Sequence, residues 1–341
     1  MGKTEVIVET LKNEIQNGKY PPGTRFPSEY TLASRFEVNG KTANKAVTLL
    51  VAAGLLERGM RGQGTHVCRQ RSSWENAPII FLGSAQNEYY AQVLDGIQNR
   101  AAQEGIFTIY LSPRPEELQN RLDTLALSRI RGIITHGYGK IRCGDHPVIH
   151  IDLVPEDPDC HIITGDNYQA GRDAVNTLVE RGHRNIVGFF FTGLMPGRHQ
   201  GMLDAMLEAG ITDAHSRIFE GLGNGDYDTR NFLNTMKRRH PGYTAVIAGT
   251  DGMILNIARL LPEISPEKVG RVGLVGFGNL KGIAGLVRAA TVEQHPFRLG
   301  VAAVEHLLAL DPKKETRIFE QIPMELVRAD NIPILQPAAR P

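Results

Sequence analysis

No apolar run in the chain reaches the roughly 18–20 residues that a membrane-spanning helix needs, so no membrane partner is expected. Cysteine is scarce: Cys68, Cys143 and Cys160 form neither a CxxC pair nor an even disulfide framework, which fits a reducing compartment. The start, Met1-Gly2-Lys3-Thr4-Glu5, lacks the apolar core of a secretion signal, so a cytoplasmic location is expected. The marks of common catalytic centres are also missing. There is no GxSxG elbow, no Walker loop and no cluster of histidines at metal-ligand spacing, although His136, His150, His183 and His199 are available. Gly223-Asn224-Gly225 is too short for a dinucleotide fingerprint. No catalytic residue, metal or cofactor is expected.

Net charge is nearly absent too, with 38 Lys and Arg against 37 Asp and Glu. The balance hides an asymmetry. Residues 1–71 carry eleven basic and six acidic side chains, a net of +5, which leaves 27 basic and 31 acidic on the rest, a net of −4. A small basic segment on a mildly acidic body points to a polyanion partner for that segment alone. Chance fluctuation is the alternative that charge by itself leaves open.

That segment reads as three helices and a hairpin. Val6, Ile7, Leu11 and Ile15 fall at helical spacing, and Gly18 ends the first helix. Pro21-Pro22-Gly23 makes a turn. Pro27-Ser28-Glu29 opens a second helix, with Ser28 as N-cap and Leu32, Ala33 and Phe36 as its buried stripe. After Glu37-Val38-Asn39-Gly40 a third helix turns Ala43, Ala46, Val47, Leu50 and Val51 inward and stops at Gly54. Two short helices across a tight turn outline a helix-turn-helix. Leu55 to Arg58, a glycine-rich turn from Gly59 to Gly64, and Thr65 to Cys68 predict a hairpin wing. The third helix would enter the major groove with its N-terminal side chains toward base edges. Those side chains are Asn39, Lys41, Thr42, Asn44 and Lys45. Asn44 suits a bidentate contact with adenine, the lysines suit guanine or phosphate, and Arg58 and Arg61 on the wing suit the minor groove or phosphates. Solvated polar residues on a small helical domain are the plain alternative.

Residues 1–70 resemble the GntR family of winged-helix regulators. The resemblance is carried by Tyr20-Pro21-Pro22-Gly23-Thr24-Arg25-Phe26-Pro27-Ser28-Glu29, by Leu32-Ala33, Phe36, Val38, Thr42, Ala46-Val47 and Leu50, by Gly54-Leu55-Leu56, and by Arg61-Gly62-Gln63-Gly64-Thr65-His66-Val67. It implies a double-stranded DNA operator as partner, met by Ser28, Tyr30, Asn39, Lys41, Thr42, Asn44, Lys45, Arg58, Arg61, Gly62 and Gly64. The family usually has arginines where this chain has Tyr30, Gly40 and Asn44, so its usual operator is not implied. Gly40 also weakens the start of the recognition helix, by roughly 0.5–1 kcal/mol relative to alanine, if it lies inside it.

Residues 71–77 lack periodicity and read as a linker. From Pro78 short apolar runs alternate with amphipathic stretches, which predicts parallel sheets covered by helices, an α/β architecture. The strand candidates are Ile79–Leu82, Phe107–Tyr110, Gly132–Thr135, Val148–Ile151, Ile186–Phe189, Ala245–Ala248 and Val272–Val275. They are too many for one compact sheet, so two lobes are expected.

Residues 78–336 resemble the lactose-repressor type of sensor, which shares the two-lobed periplasmic sugar-binding-protein fold. The motifs are Ile163 to Gly171, Leu178 with Arg181 to Ile186, Arg198-His199-Gln200-Gly201, Gly225-Asp226-Tyr227, Thr250-Asp251-Gly252-Met253, Val275-Gly276-Phe277 and Thr291-Val292-Glu293-Gln294. The resemblance implies lobe 1 over about 78–165 and 295–320, and lobe 2 over about 166–290 and 321–336. It also implies a sugar-like effector held by Gln86, Tyr89, Asp166, Arg198, Tyr227, Thr250, Asp251, Asn279 and Gln294. Asp166 has a competing reading as a helix cap, Arg198 as a surface ion pair and Tyr227 as packing. The chain departs from this family where Gly278-Asn279 replaces the usual Asp after Gly-Phe, and where Thr250 replaces an Asn. The two modules together are similar to arabinose-type repressors. The function implied is an effector-controlled transcriptional repressor acting as a homodimer. A ligand-binding protein without DNA function and an α/β enzyme are the alternatives.

Overall fold

The computed structural model describes residues 3–21, 23–52, 55–59, 64–68, 77–126, 128–152, 160–193, 196–223, 225–310 and 317–335. The linker expected at 71–77, apart from Ala77, and the wing residues Arg61 and Gly62 lie outside them. The chain divides into two compact units, Met1–Ala77 and Pro78–Pro341.

The first unit holds α1 (Lys3–Gln16), α2 (Glu29–Arg35), α3 (Gly40–Ala52) and an antiparallel hairpin of β1 (Leu56–Arg58) and β2 (Thr65–Val67). Its core joins Ile7, Leu11 and Ile15 of α1 to Leu32 of α2, to Ala43, Ala46, Val47 and Leu50 of α3, and to Leu56 and Val67 of the hairpin. Val6, expected on the buried stripe, is exposed: the 7-11-15 spacing keeps one face inward and rotates residue 6 away. Ser28 caps α2, accepting from the Thr31 N–H at 3.1 Å. Asn39 does the same for α3, accepting from the Thr42 N–H at 2.8 Å. Gly40 is the first residue of α3, so it sits inside the helix but only at its edge. Arg35 of α2 reaches back to Glu14 of α1 at 2.7 Å, and that guanidinium holds the Glu14 carboxyl down at about 2.

The second unit holds β3 (Ile79–Leu82), α4 (Glu88–Gln103), β4 (Thr108–Leu111), α5 (Pro115–Ala126), β5 (Gly132–Thr135), β6 (Val148–Ile151) and β7 (His161–Gly165). These are followed by α6 (Asn167–Glu180), β8 (Ile186–Phe191), α7 (Pro196–Glu208), β9 (Ile218–Gly221), α8 (Asp226–Arg239), β10 (Ala245–Ala248) and α9 (Asp251–Ile264). Then come β11 (Gly273–Phe277), the short α10 (Lys281–Ala284), β12 (Ala290–Glu293), α11 (Pro296–Ala309), β13 (Phe319–Ile322) and β14 (Glu325–Val327).

Two six-stranded sheets result. One runs β13-β7-β6-β5-β3-β4 and is parallel throughout; the other runs β14-β12-β11-β10-β8-β9 and is parallel except for β14. The chain crosses between them after β7, after β12 and after β13. The last crossing follows Ile322, two residues beyond the expected boundary, because β13 pairs with β7 through Ile322 opposite Gly165. The second follows Glu293, where β12 ends, between the expected limits of about 290 and 295. The expected strand at Phe107 begins one residue later, and Phe107 itself is 80% exposed. The run from Val272 likewise begins at Gly273 and extends to Phe277.

Each lobe packs a helix pair through glycines. A Cβ on Gly96 of α4 would overlap the Phe297 backbone oxygen of α11, and one on Gly300 of α11 would overlap that of Val93. In lobe 2 the same reciprocity joins Gly171 of α6 to the Arg198 oxygen and Gly201 of α7 to the Tyr168 oxygen. Backbones approach this closely only where no side chain intervenes.

Candidate functional site

The outer face of α3 carries Lys41, Asn44, Lys45 and Thr48, opposite the buried Ala43, Ala46, Val47 and Leu50. This is the helical spacing that puts one stripe in the core and the other outside. Lys41 and Lys45 are exposed. Beside them Tyr30 projects from α2 with 86% of its surface free. Glu29, Tyr30, Ala33, Ser34, Val38, Gly40, Lys41 and Asn44 line a shallow groove between α2 and α3. Gly40 leaves open space there, where an arginine would have projected. Of the expected DNA contacts, Ser28 and Asn39 spend their side-chain oxygens on capping, and Thr42 donates its hydroxyl to Asn39 at 3.0 Å. Asn44 and Arg58 are not free either. The Asn44 amide donates to Glu29 at 2.7 Å, and Arg58 donates to Thr48 at 3.0 Å. Gly64 adopts φ +80°, which closes the wing's turn at low strain.

The second unit has a cavity of about 250 Å³ between its lobes. Lobe 1 lines it with Asn87, Glu88, Tyr89, Tyr90 and Asp152, lobe 2 with Asn167, Arg198, Thr250, Gly252, Phe277, Gly278 and Leu280, and Gln294 lies at the second crossing. Asp152 follows β6, Asn167 follows β7, Thr250 follows β10, Gly278 follows β11 and Gln294 follows β12. All these are carboxyl ends of parallel strands, where α/β sheets gather their ligand groups.

Arg198 is the centre of this cavity. It is 1% exposed, and its guanidinium lies 3.8 Å from the centroid of the Phe277 ring. Nη2 and Nε donate to Asn167 Oδ1 at 2.7 and 3.1 Å, and Nη1 donates to the Gly249 carbonyl at 2.5 Å. Burial lowers its pKa to about 10, so it stays charged at neutral pH. Across the cavity Tyr89 donates to Asp152 at 3.1 Å. Asp152 has φ +63°, and burial raises its carboxyl to about 6, against the opposing pull of the Tyr89 hydroxyl and the Arg198 charge. Tyr90 stacks on His136 with centroids 3.6 Å apart. The Lys281 N–H of lobe 2 donates across to Glu88 of lobe 1 at 3.1 Å.

The structure thus brings Tyr89, Arg198, Thr250 and Gln294 together and leaves five other candidates outside the lining. Asp166 caps α6, accepting from the Gln169 N–H at 3.0 Å; its neighbour Asn167 enters the site. Asp251 is buried as a brace, accepting from the Thr291 hydroxyl at 2.7 Å and the Leu280 N–H at 3.0 Å. Asn279 turns its amide to Glu293 at 2.7 Å. Gln86 is exposed, and Asn87 beside it lines the cavity. Tyr227 is 78% exposed on the first turn of α8. Asp152 and Phe277 are the cavity residues of most chemical weight that the sequence reading passed over. Asp152 had a signal, being the first polar residue after a predicted parallel strand. Among the described residues, no group of three or more His, Cys, Asp or Glu is arranged to hold a metal, and no helix is long and apolar enough to cross a membrane.

Residues 3–67 match the family described as bacterial regulatory proteins, gntR family. Residues 79–328 match periplasmic binding proteins and sugar binding domain of LacI family. The HTH-type transcriptional repressor PurR of Glaesserella parasuis serovar 5 (strain SH0165) is 24% identical over 250 residues, 67% of this chain and 71% of that protein. A transcription regulator from Lactobacillus plantarum superposes with TM-score 0.65 at 21% identity, covering 75% of this chain and all of that one (100%). The complex of transcriptional regulator CelR with cellobiose gives TM-score 0.64 at 17% identity over 89% of this chain and 98% of that one. With the LacI-type match covering most of its length, the chain belongs to the family of periplasmic binding proteins and LacI-family sugar-binding domains, here joined to a gntR-type head in a DNA-binding transcriptional regulator under effector control.

Proposed function

We propose that the chain is a cytoplasmic repressor that binds a double-stranded operator as a homodimer, with a sugar or sugar derivative in the lobe cavity setting the strength of that grip. The observation that carries the effector class is the pairing of Arg198 and Asp152 across one small cavity. A planar guanidinium fork donates to ring and hydroxyl oxygens, and a carboxylate accepts from two hydroxyls. Thr250 and Gln294 add a hydroxyl and an amide, while Tyr89 and Phe277 supply apolar ring surface. Charged and aromatic groups facing one another suit a hydroxyl-bearing ring whose C–H face meets the aromatic surface. No catalytic role is proposed for this cavity.

Dimerisation is supported by apolar side chains on the unpaired sheet edges. Phe107, Ile109 and Tyr110 stand exposed at β4, and Leu222, 91% exposed, follows β9 with Tyr227 close behind. Two heads would then read a two-fold operator with the affinity that one small head lacks.

The test is a thermal-shift screen of sugars and sugar acids on the full chain. A true effector at a hundredfold excess over Kd stabilises by about 2.7 kcal/mol. Gel shifts on the chain's own promoter region, with and without the hit, then give the sign of regulation. No stabilising sugar and no retarded fragment would remove this reading.

A further inference from the structure

Four side chains form a closed ring on the face of the first unit that carries Lys41 and Lys45. Glu29 Oε1 accepts from Asn44 Nδ2 at 2.7 Å. Asn44 Oδ1 accepts from the Thr48 hydroxyl at 3.3 Å. Thr48 Oγ1 accepts from Arg58 Nη2 at 3.0 Å, and the same nitrogen returns to Glu29 Oε1 at 3.5 Å. The ring joins α2, α3 and β1, with Glu29 lying 15 residues from Asn44 and 29 from Arg58.

Its location is unusual for a carboxylate. A surface that meets a polyanion gains from cations and loses from anions. Stability does not account for it, because both ends of the Glu29–Arg58 pair are well exposed and such pairs contribute little to folding. Asn44 and Arg58 are also the side chains with the donor geometry for a base edge and for phosphate. One carboxylate therefore occupies both before any duplex arrives. Opening the ring leaves Glu29 without partners, which is unfavourable unless the duplex supplies something better. A matched base step does so by taking both functions of the Asn44 amide and by giving Glu29 a cytosine N4 donor; an arbitrary sequence offers only phosphate to Arg58 and leaves Glu29 unpaired.

We propose that Glu29 is a specificity-determining positioning residue of the DNA-reading head. It withholds Asn44 and Arg58 from arbitrary duplex and yields them to a matched base pair. Discrimination of this kind works by penalising wrong partners. The proposal rests on the DNA-reading function stated above.

The full wild-type chain is first used to select a duplex from a random library. Its affinity for that duplex and for a scrambled duplex of equal composition is then measured across a salt series. Glu29→Ala should bind the scrambled duplex more tightly, with a salt slope steeper by about 0.9, the value of one extra phosphate contact. The ratio of selected to scrambled affinity should fall by roughly 5–150-fold, the range for the one base contact that Glu29 itself loses. Glu29→Gln keeps an acceptor for Asn44 and for the base amine but not the charge. It should gain the steeper slope while retaining most of the ratio. A lower melting temperature with parallel weakening on both duplexes means a structural role and overturns the proposal, as does an unchanged ratio in Glu29→Ala. Should Glu29→Ala fail to fold, an unchanged slope in Glu29→Gln overturns it. A wild-type chain that selects no duplex removes the DNA-reading function itself, a result distinct from variants that leave a real preference intact.

Discussion

Asp152 sits where burial and proximity to charge pull in opposite directions. Desolvation raises its carboxyl to about 6 although Tyr89 donates to it and Arg198 carries a positive charge nearby. The folded chain therefore holds this proton more tightly than the unfolded chain does. Its contribution to stability is fully present below about 4, and it is lost as pH rises from there through about 6. Asp152→Asn should accordingly be more stable than wild type at pH 7, by up to roughly 3 kcal/mol. The gap should close as pH falls toward 4. Thermal midpoints of both proteins across that range check this, and a gap that does not change with pH rules it out. The substitution should also weaken the effector at pH 7, since an amide accepts fewer hydroxyl bonds than a carboxylate. Stability gained and affinity lost at one position is what a binding group held at some cost looks like.

Among the elements, α7 ties packing to the site, because it carries both Arg198 and Gly201. Its contact with α6 admits no side chain at Gly171 or Gly201. Gly171→Ala places a methyl against the backbone oxygen of Arg198 and must push α7 away. We expect a loss of roughly 1–3 kcal/mol from overpacking. A drop in effector affinity should accompany it, because the guanidinium moves relative to Asn167 and Phe277. Gly300→Ala, the equivalent change at the lobe 1 pair, should lower the melting temperature with a smaller effect on affinity. Calorimetric titration beside thermal melting separates the two cases. Equal affinity losses would show that α7 does not position Arg198 in this way.

Elements also show what could be read beforehand. Ile79–Leu82 and Ala245–Ala248 are buried on both faces, so each appears in the chain as an uninterrupted apolar run. β9 and β14 are edges, and β13 is an edge of the other sheet; their burial is mixed. Such segments are strands because of a neighbour, which no local pattern records. The site divides similarly. Arg198 was legible through the motif around it. Asp166 and Asn167 were not separable, because a single residue's step decides which side chain caps the helix and which enters the cavity. Tyr227 stands exposed outside the lining, because family position says nothing about exposure.

For the whole molecule, the charge division and the exposed edges meet in the proposed dimer. If the β4 and β9 edges join two copies, Phe107→Asp should give monomers by analytical ultracentrifugation and weaken binding to a two-fold operator by at least about tenfold, with melting temperature nearly unchanged. The loss follows from forfeiting the second head's intramolecular engagement, which is worth about 10²–10⁴ at best. A variant that stays dimeric would place the interface elsewhere.

The three passages between the lobes restrict how this architecture can be inherited. The head is attached at one junction, near Ala77 and Pro78, and can be exchanged by a single recombination event. A lobe cannot. Each sheet is assembled from separated stretches of the gene, and β13 completes the lobe 1 sheet from near the chain's end. Heads and complete sensors are thus free to be recombined between lineages, while no sensor can trade a single lobe in one exchange.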